Sequence, residues 1–369
     1  MPRVKLGDVA REYKAISKEN TGMPIVGLEH LTPGDITLSQ WDEGIETTFT
    51  KAFKKGQMLF GRRRAYLKKA ALAPFDGVCS GDIIVIEAIP ERIDPALLPF
   101  IIQSDLLFDF AVGNSAGSLS PRVKWESLRE YEFELPEMGE QEKLVQLLEA
   151  AYQAKKSYQV LLNATDNLVK SQFIEMFGAI PESEFVTMES VCSLITDGTH
   201  QPPKFVDNGI PFLFVSNITT NELTYDADKF ISSETYADLM KRTPVEIGDI
   251  LLSTVGSYGH PAVVKSDRKF SFQRHIAFLK PRRDVINSIY LHGVILTSDI
   301  QRQIDARVKG IAQKTLNLSE IRTLRFPLPP MKEQNRFAAF VAEIDKSKFE
   351  LKQSIERIDN LIKSLIQQG

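Results

Sequence analysis

Apolar positions recur at alternating four- and three-residue steps along two long stretches of this chain. In the later stretch Phe337, Val341, Ile344, Leu351, Ile355, Ile358, Ile362 and Leu365 keep that spacing, with Lys348 in the seam. In the earlier one Leu144, Leu148, Ala151, Tyr158, Leu162, Thr165, Val169 and Gln172 do the same, with Lys155 at the matching place. Heptad spacing of this kind predicts helices that pack on one another with a left-handed supercoil. No Gly or Pro interrupts the chain between Gln141 and Phe177 or between Gln334 and Gln368. At 1.5 Å per residue each helix is about 50 Å long, too long to be buried on its own domain. Leu144, Leu148, Leu162, Val169, Phe337, Val341, Leu351, Ile358 and Ile362 are the expected helix-pairing or partner-binding positions.

The two stretches are copies. Leu135-Pro136-Glu137-Met138-Gly139-Glu140-Gln141 returns 193 residues later as Leu328-Pro329-Pro330-Met331-Lys332-Glu333-Gln334, and Asp166-Asn167-Leu168-Val169-Lys170-Ser171 returns at the same offset as Asp359-Asn360-Leu361-Ile362-Lys363-Ser364. A shared offset at two places thirty residues apart marks an internal duplication. Ahead of each helix lies a more variable region. Its short aliphatic runs, Ile83-Ile84-Val85-Ile86 and Ile250-Leu251-Leu252, are bounded by polar and glycine positions as buried strands are. Gly178 and Pro181 end the first helix. The expected fold is therefore α/β (α+β) with a pseudo-two-fold internal repeat: domain 1 over 1–136, a long helix over 137–178, domain 2 over 179–329 and a second long helix over 330–369. The two helices are expected to pair as an antiparallel coiled coil that separates the domains.

Composition narrows the chemistry. The 369 residues carry 45 Lys+Arg against 48 Asp+Glu, a net charge of −3, which excludes a uniformly basic coat for nucleic acid but not local basic patches. Cys79 and Cys192 form no Cys-x-x-Cys pair, so neither a disulfide scaffold nor a Cys-rich zinc site is expected, and two unpaired thiols suit a reducing compartment. No secretory h-region follows Met1-Pro2-Arg3 and no apolar run approaches ~18 residues, so the expected location is cytoplasmic, with no membrane partner. A P-loop, a Gly-x-Gly-x-x-Gly cradle and a His-Glu-x-x-His pair are all missing. The Asn/Asp-Pro-Pro-aromatic tetrapeptide of amino-methyltransferases is missing too, Pro202-Pro203-Lys204-Phe205 copying only part of it. Of the five scattered histidines only His260 and His275 share a predicted patch, which is weak support for a metal site, and none is expected. The chain reads as non-catalytic.

Binding chemistry is concentrated in two places. Lys51, Lys54, Lys55, Arg62, Arg63, Arg64, Lys68 and Lys69 occur with no acidic residue between Lys51 and Lys69, and Tyr66 sits among them. Guanidinium forks suit phosphate oxygens and the acceptor edge of guanine. An ordinary solvated face explains any single lysine, but three consecutive arginines repel unless an anion offsets them. In the second half Leu251–His260 runs from a strand into a glycine-flanked loop bearing Ser257 and Tyr258, and Lys265, Arg268, Lys269, Arg274, Lys280, Arg282 and Arg283 follow. A plain hairpin turn is the simpler reading of the two glycines. Asp197-Gly198-Thr199-His200 leads into Lys204. Gly117–Lys124 and Gly310–Asn317 stand at equivalent places before the long helices, each with basic and hydroxyl groups ahead of a short helix, where backbone N–H groups attract phosphate. The DNA-contact candidates are Arg62, Arg63, Arg64, Tyr66, Arg122 and Lys124 in the first half, and His200, Lys204, Ser257, Tyr258, Arg274 and Lys314 in the second. Two unlike readers held apart by rods would suit a split, asymmetric duplex target, since DNA repeats its face every ~34–36 Å.

On the paired Leu-Pro-x-x-x-Glu-Gln and Asp-Asn-Leu-(Val/Ile)-Lys-Ser strings the chain resembles the specificity subunits of type I restriction–modification systems over essentially its whole length. Gly61-Arg62-Arg63-Arg64-Ala65-Tyr66, Ala73–Ser80, Asp197-Gly198-Thr199-His200 and Gly310-Ile311-Ala312-Gln313-Lys314 are similar to recurrent strings of that family. The resemblance implies two target-recognition domains joined by conserved antiparallel helices. It also implies double-stranded DNA, two adenine-methyltransferase subunits and restriction/translocase subunits as partners. S-adenosylmethionine, ATP and Mg belong to those partners and none is bound by this chain. The halves differ where Arg62-Arg63-Arg64 faces Thr254-Val255-Gly256, and the first lacks the Asp-Gly-Thr-His string. Three alternatives are a protein–protein scaffold that reads no sequence, a self-sufficient nuclease or methyltransferase, and the specificity subunit of a methylation-only complex.

Overall fold

A computed structural model describes residues 2–17, 22–44, 46–310 and 313–368, residue 368 by its backbone only. The chain forms two compact units, and they are not the two halves of the sequence. The first is built from residues 1–160 and 351–369, the second from residues 161–350. The long helices, Met138–Phe177 and Met331–Gln368, are each divided between the units.

In the first unit a four-stranded antiparallel sheet runs in the order Ala10–Glu12, Ile83–Ala88, Met58–Gly61, Ala70–Leu72. Met58–Gly61 and Ile83–Ile86 of its central strands are apolar without interruption because both faces are covered. Ile84, Ile86, Met58 and Phe60 point into one core, while Ile83, Val85 and Leu59 point into another. This is the strand period of two with apolar neighbours on either side. The first core is closed by the helices Leu98–Ile102 and Asp105–Gly113, where Phe60 and Phe108 stack at 5.4 Å. The second core lies under a mixed sheet ordered Ala15–Ile16, Lys51–Phe53, Gly77–Cys79, Ile25–Val26.

The second unit repeats this plan. Its antiparallel sheet runs Cys192–Asp197, Ile276–Pro281, Ile250–Ser253, Pro261–Val263. Ile250, Leu252, Ala277 and Leu279 enter one core and Leu251, Ile276 and Phe278 the other. Helices Ser288–Ile295 and Ser298–Arg307 take the places of the pair in the first unit, and Thr297 caps the second of them as Ser104 caps Asp105–Gly113.

Each repeated string has a structural task. Gln141 is 1% exposed; its Nε2 donates to Pro136 O at 2.8 Å and its Oε1 accepts the Asp94 N–H at 2.8 Å. Gln334, equally buried, donates to Pro329 O at 2.8 Å and accepts the Asn287 N–H at 2.8 Å. The glutamine of the repeat thus ties each long helix to a loop of the domain that precedes it. Within each unit the helical segments are antiparallel. Leu144, Val145 and Leu148 share the first core with Ile362, Leu365 and Ile366, while further along Lys155 meets Asp359. In the second unit Phe337 meets Phe173 and Phe177, while Lys348 meets Asp166.

The seam expectation needs one correction. Leu148 and Phe337 are fully buried in the domain cores, and Leu144, Val169, Val341 and Ile362 pack against those cores, because both the early and the late turns of each helix dock on a core. Leu162, Leu351 and Ile358 are half-buried.

Candidate nucleic-acid interface

At the end of the strand Met58–Gly61 three segments of the first unit converge. Arg62 donates its N–H to Asp82 O at 2.9 Å, Val123 donates to Arg62 O at 3.0 Å, and Arg64 donates to Pro121 O at 2.8 Å. Arg63 and Arg122 form an isolated antiparallel bridge. Asp82 lies at the centre. It accepts from Arg122 Nε at 2.7 Å and Arg122 Nη2 at 3.2 Å, and lies 3.7 Å from Arg63 Nη1. Arg63 Nη2 donates to Ser120 Oγ at 3.1 Å. The Arg122 hydrogen bond, aided by the charges of the three arginines around it, holds the Asp82 carboxyl below the usual range despite its partial burial.

The stretch Lys51–Lys69, which has no acid of its own, is therefore partly neutralised in the fold. The acid arrives from the neighbouring strand, whose register sets Gly61 opposite Ile83 and so Arg62 beside Asp82. Lys68 is taken by Asp105 at 2.6 Å, and Lys69 and Lys51 donate to the carbonyls of Leu28 and Ile83. Arg64, Tyr66 and Lys124 stay exposed, and none of their side chains makes a hydrogen bond or ion pair among the described residues. The Nε groups of Arg62 and Arg63 are buried without an acceptor among those residues. Leaving such donors unpaired costs stability, so stability alone does not account for two arginines here. Arg64 is also held left-handed at φ 54°, where a side chain is strained.

The same junction recurs in the second unit with different side chains. Thr254 donates to His275 O at 2.9 Å, Leu316 to Thr254 O at 2.8 Å and Gly256 to Lys314 O at 3.2 Å, and Val255 bridges Thr315. Gly256, at φ 73°, occupies the place of Arg64. His275 stands where the first unit has Asp82, and Thr315 where it has Arg122. Arg274 donates its N–H to Thr199 O at 3.1 Å, which brings the Asp197–His200 loop to this junction. A side chain at Gly198 would collide with the carbonyls of Phe272 and Gln273, which is why glycine stands there. Asp197 pairs with His200 at 2.9 Å and with Arg242. Tyr258 donates to Asp305 at 2.9 Å, and Lys314 Nζ lies 6.0 Å from its ring centre.

His200, Ser257, Tyr258, Arg274 and Lys314 are thus gathered by one set of loops. Lys204 is exposed at the head of the strand Phe205–Val206, and no hydrogen bond or ion pair joins it to them among the described residues. Ile311 and Ala312 of the Gly310–Lys314 string lie outside the described residues. The short helices after Lys124 and Asn317 span only Trp125–Leu128 and Leu318–Arg322, neither capped by a side chain. Single turns carry little of the aligned dipole that the phosphate expectation needs. Among the described residues no group of three or more His, Cys, Asp or Glu side chains is placed to hold a metal, and no helix is long and apolar enough to cross a membrane.

Residues 3–162 and 182–360 match the family model for the type I restriction modification DNA specificity domain. The chain is 28% identical over 174 residues to the type I restriction enzyme EcoBI specificity subunit of Escherichia coli, covering 46% of this chain and 36% of that one. It is 24% identical over 196 residues to the putative type I restriction enzyme MjaX specificity subunit of Methanocaldococcus jannaschii, covering 51% and 46%. The matches therefore span less than half the length of these curated relatives. A solved chain from work on complex assembly and conformational transition of the type I R-M system aligns over 99% of this chain and 96% of its own, with a TM-score of 0.56 at 20% identity. The S subunit of the type I restriction-modification system from M. genitalium aligns over 99% and 95%, with a TM-score of 0.54 at 12% identity. These two likenesses concern the fold.

Proposed function

Since the chain belongs to the type I restriction modification DNA specificity family, we propose that it is a non-catalytic subunit that reads a split, asymmetric DNA target, one unit per half-site. One observation supports this reading above the others: the two units build the same three-segment junction from the same backbone bonds but furnish it with unlike side chains. A shared backbone with exchanged side chains is what two readers of different base sequences require, since base-edge contacts specify while backbone contacts only position. A scaffold that reads no sequence has no use for the exchange. In this reading, adenine-methyltransferase subunits and restriction/translocase subunits supply the chemistry. They also carry the S-adenosylmethionine, ATP and Mg, and the assembly works in the cytoplasm.

Mapping methylated adenines in a host that expresses this chain with its neighbouring genes tests the proposal. The expected result is one bipartite motif with two unlike halves around a fixed spacer. Absence of any motif, or a single uninterrupted palindrome, overturns it.

A further inference from the structure

Arg122 is committed to Asp82 along one side only. The carboxylate takes Nε and Nη2 at 2.7 and 3.2 Å, which leaves Nη1 and the second Nη2 hydrogen, the end of the fork, without a partner among the described residues. The Arg122 side chain is 44% exposed and that of Asp82 21%, so the fork opens outward from a fixed base. Arg63, bonded to Ser120 and lying 3.7 Å from the same carboxylate, adds a second charge beside it.

An acid at the centre of a DNA-facing cluster is unfavourable if the arginines only grip phosphate, because it repels the same phosphates. It is favourable if an arginine must meet a neutral base edge in one orientation, since a free arginine loses more rotamer freedom on binding. Guanine presents two acceptors, O6 and N7, spaced for that fork. We propose that Arg122 reads a guanine of the first half-site and that Asp82 is the positioning residue that aims it, an inference that rests on the DNA-reading function above. In the second unit His275 and Thr315 occupy the two equivalent places, so this pair, and the guanine it reads, belongs to one half-site.

The test uses the full chain with the methyltransferase subunit encoded beside it, selecting from a duplex pool of randomised sequence. The wild type is expected to select a split motif with a guanine at one position that depends on Arg122. Arg122→Ala and Asp82→Asn should each lower the preference for that guanine about tenfold, at the same position and with the other half-site unchanged. The double variant should lose no more than either alone. If Asp82→Asn keeps the full preference that Arg122→Ala loses, or if both keep it, the inference is overturned while the DNA-reading function stands. If the wild type selects no motif, the function itself fails. Should Asp82→Asn abolish all binding, Asp82→Glu decides: a retained guanine preference supports positioning by the carboxylate, and its loss overturns it.

Discussion

Lys155 donates from Nζ to Asp359 Oδ1 at 2.6 Å in the first unit, and the same repeat positions, Lys348 and Asp166, meet in the second. The lysine that interrupts each apolar seam and the aspartate that opens each Asp-Asn-Leu string are thus two ends of one contact. The Lys155 side chain is 17% exposed and that of Asp359 38%, so the partners are not equally replaceable. Asp359→Ala leaves the mostly buried Lys155 side chain unpaired and should cost about 1 kcal/mol. Lys155→Leu fills an apolar seam and should cost less or stabilise. Urea titrations of both variants check the order, and an Asp359→Ala protein as stable as Lys155→Leu contradicts it.

Gln141→Leu should destabilise the first unit by about 1–3 kcal/mol, because it leaves the Asp94 N–H and the Pro136 carbonyl without their partner in a buried place. Gln334→Leu should do the same to the second unit. Hydrogen exchange resolved by segment is the measurement, with faster exchange expected in the unit that carries the change.

Arg64→Gly should move stability and DNA affinity in opposite directions. Glycine relieves the left-handed strain at φ 54°, a gain of about 0.5–1 kcal/mol after its own chain-entropy cost. Losing an exposed, unpaired cation from the junction should weaken duplex binding and lower the salt slope by about one ion. Denaturant unfolding and binding across a salt series check the two signs, and an unchanged slope removes Arg64 from the interface.

Acid should weaken the second unit through His292, whose Nε2 lies 3.1 Å from Asn221 O. Burial, with Lys265 nearby, lowers its pKa below the ordinary 6.5, outweighing the backbone contacts that favour its charge. The unfolded chain then takes the proton first. The stabilising contribution is complete above 6.5 and is lost as pH falls from there toward the folded-state value. Melting temperatures of the wild type and His292→Gln between pH 8 and pH 5 should converge as the pH drops, and parallel curves refute the assignment.

The duplication, the two long helices and the buried central strands were legible in the sequence because each follows from a period: 193 residues for the copies, 4-3 steps for the helices and β-branched runs for the strands. The pairing of Arg122 with Asp82 was not, since forty residues separate them and only the register of two antiparallel strands brings the acid to the arginines. Gln141 and Gln334 stood out as repeated letters, but their role as buried clamps depends on loops at Asp94 and Asn287 that carry no pattern of their own. The helix seam was over-read at its ends, where Leu148 and Phe337 serve the domains, because heptad spacing does not say which surface a stripe will meet.

Residues 351–369 belong to the first unit, where Ile362, Leu365 and Ile366 lie on its core and Lys363 reaches Asp105 at 2.8 Å. A ribosome therefore releases the opening 160 residues long before the strand of helix that completes them exists. Closing so wide a loop is slow, and until it closes the Leu144–Leu148 surface stays open to chaperones, to aggregation or to another copy's helix. Removing residues 351–369 should injure residues 1–160 before it injures residues 161–350.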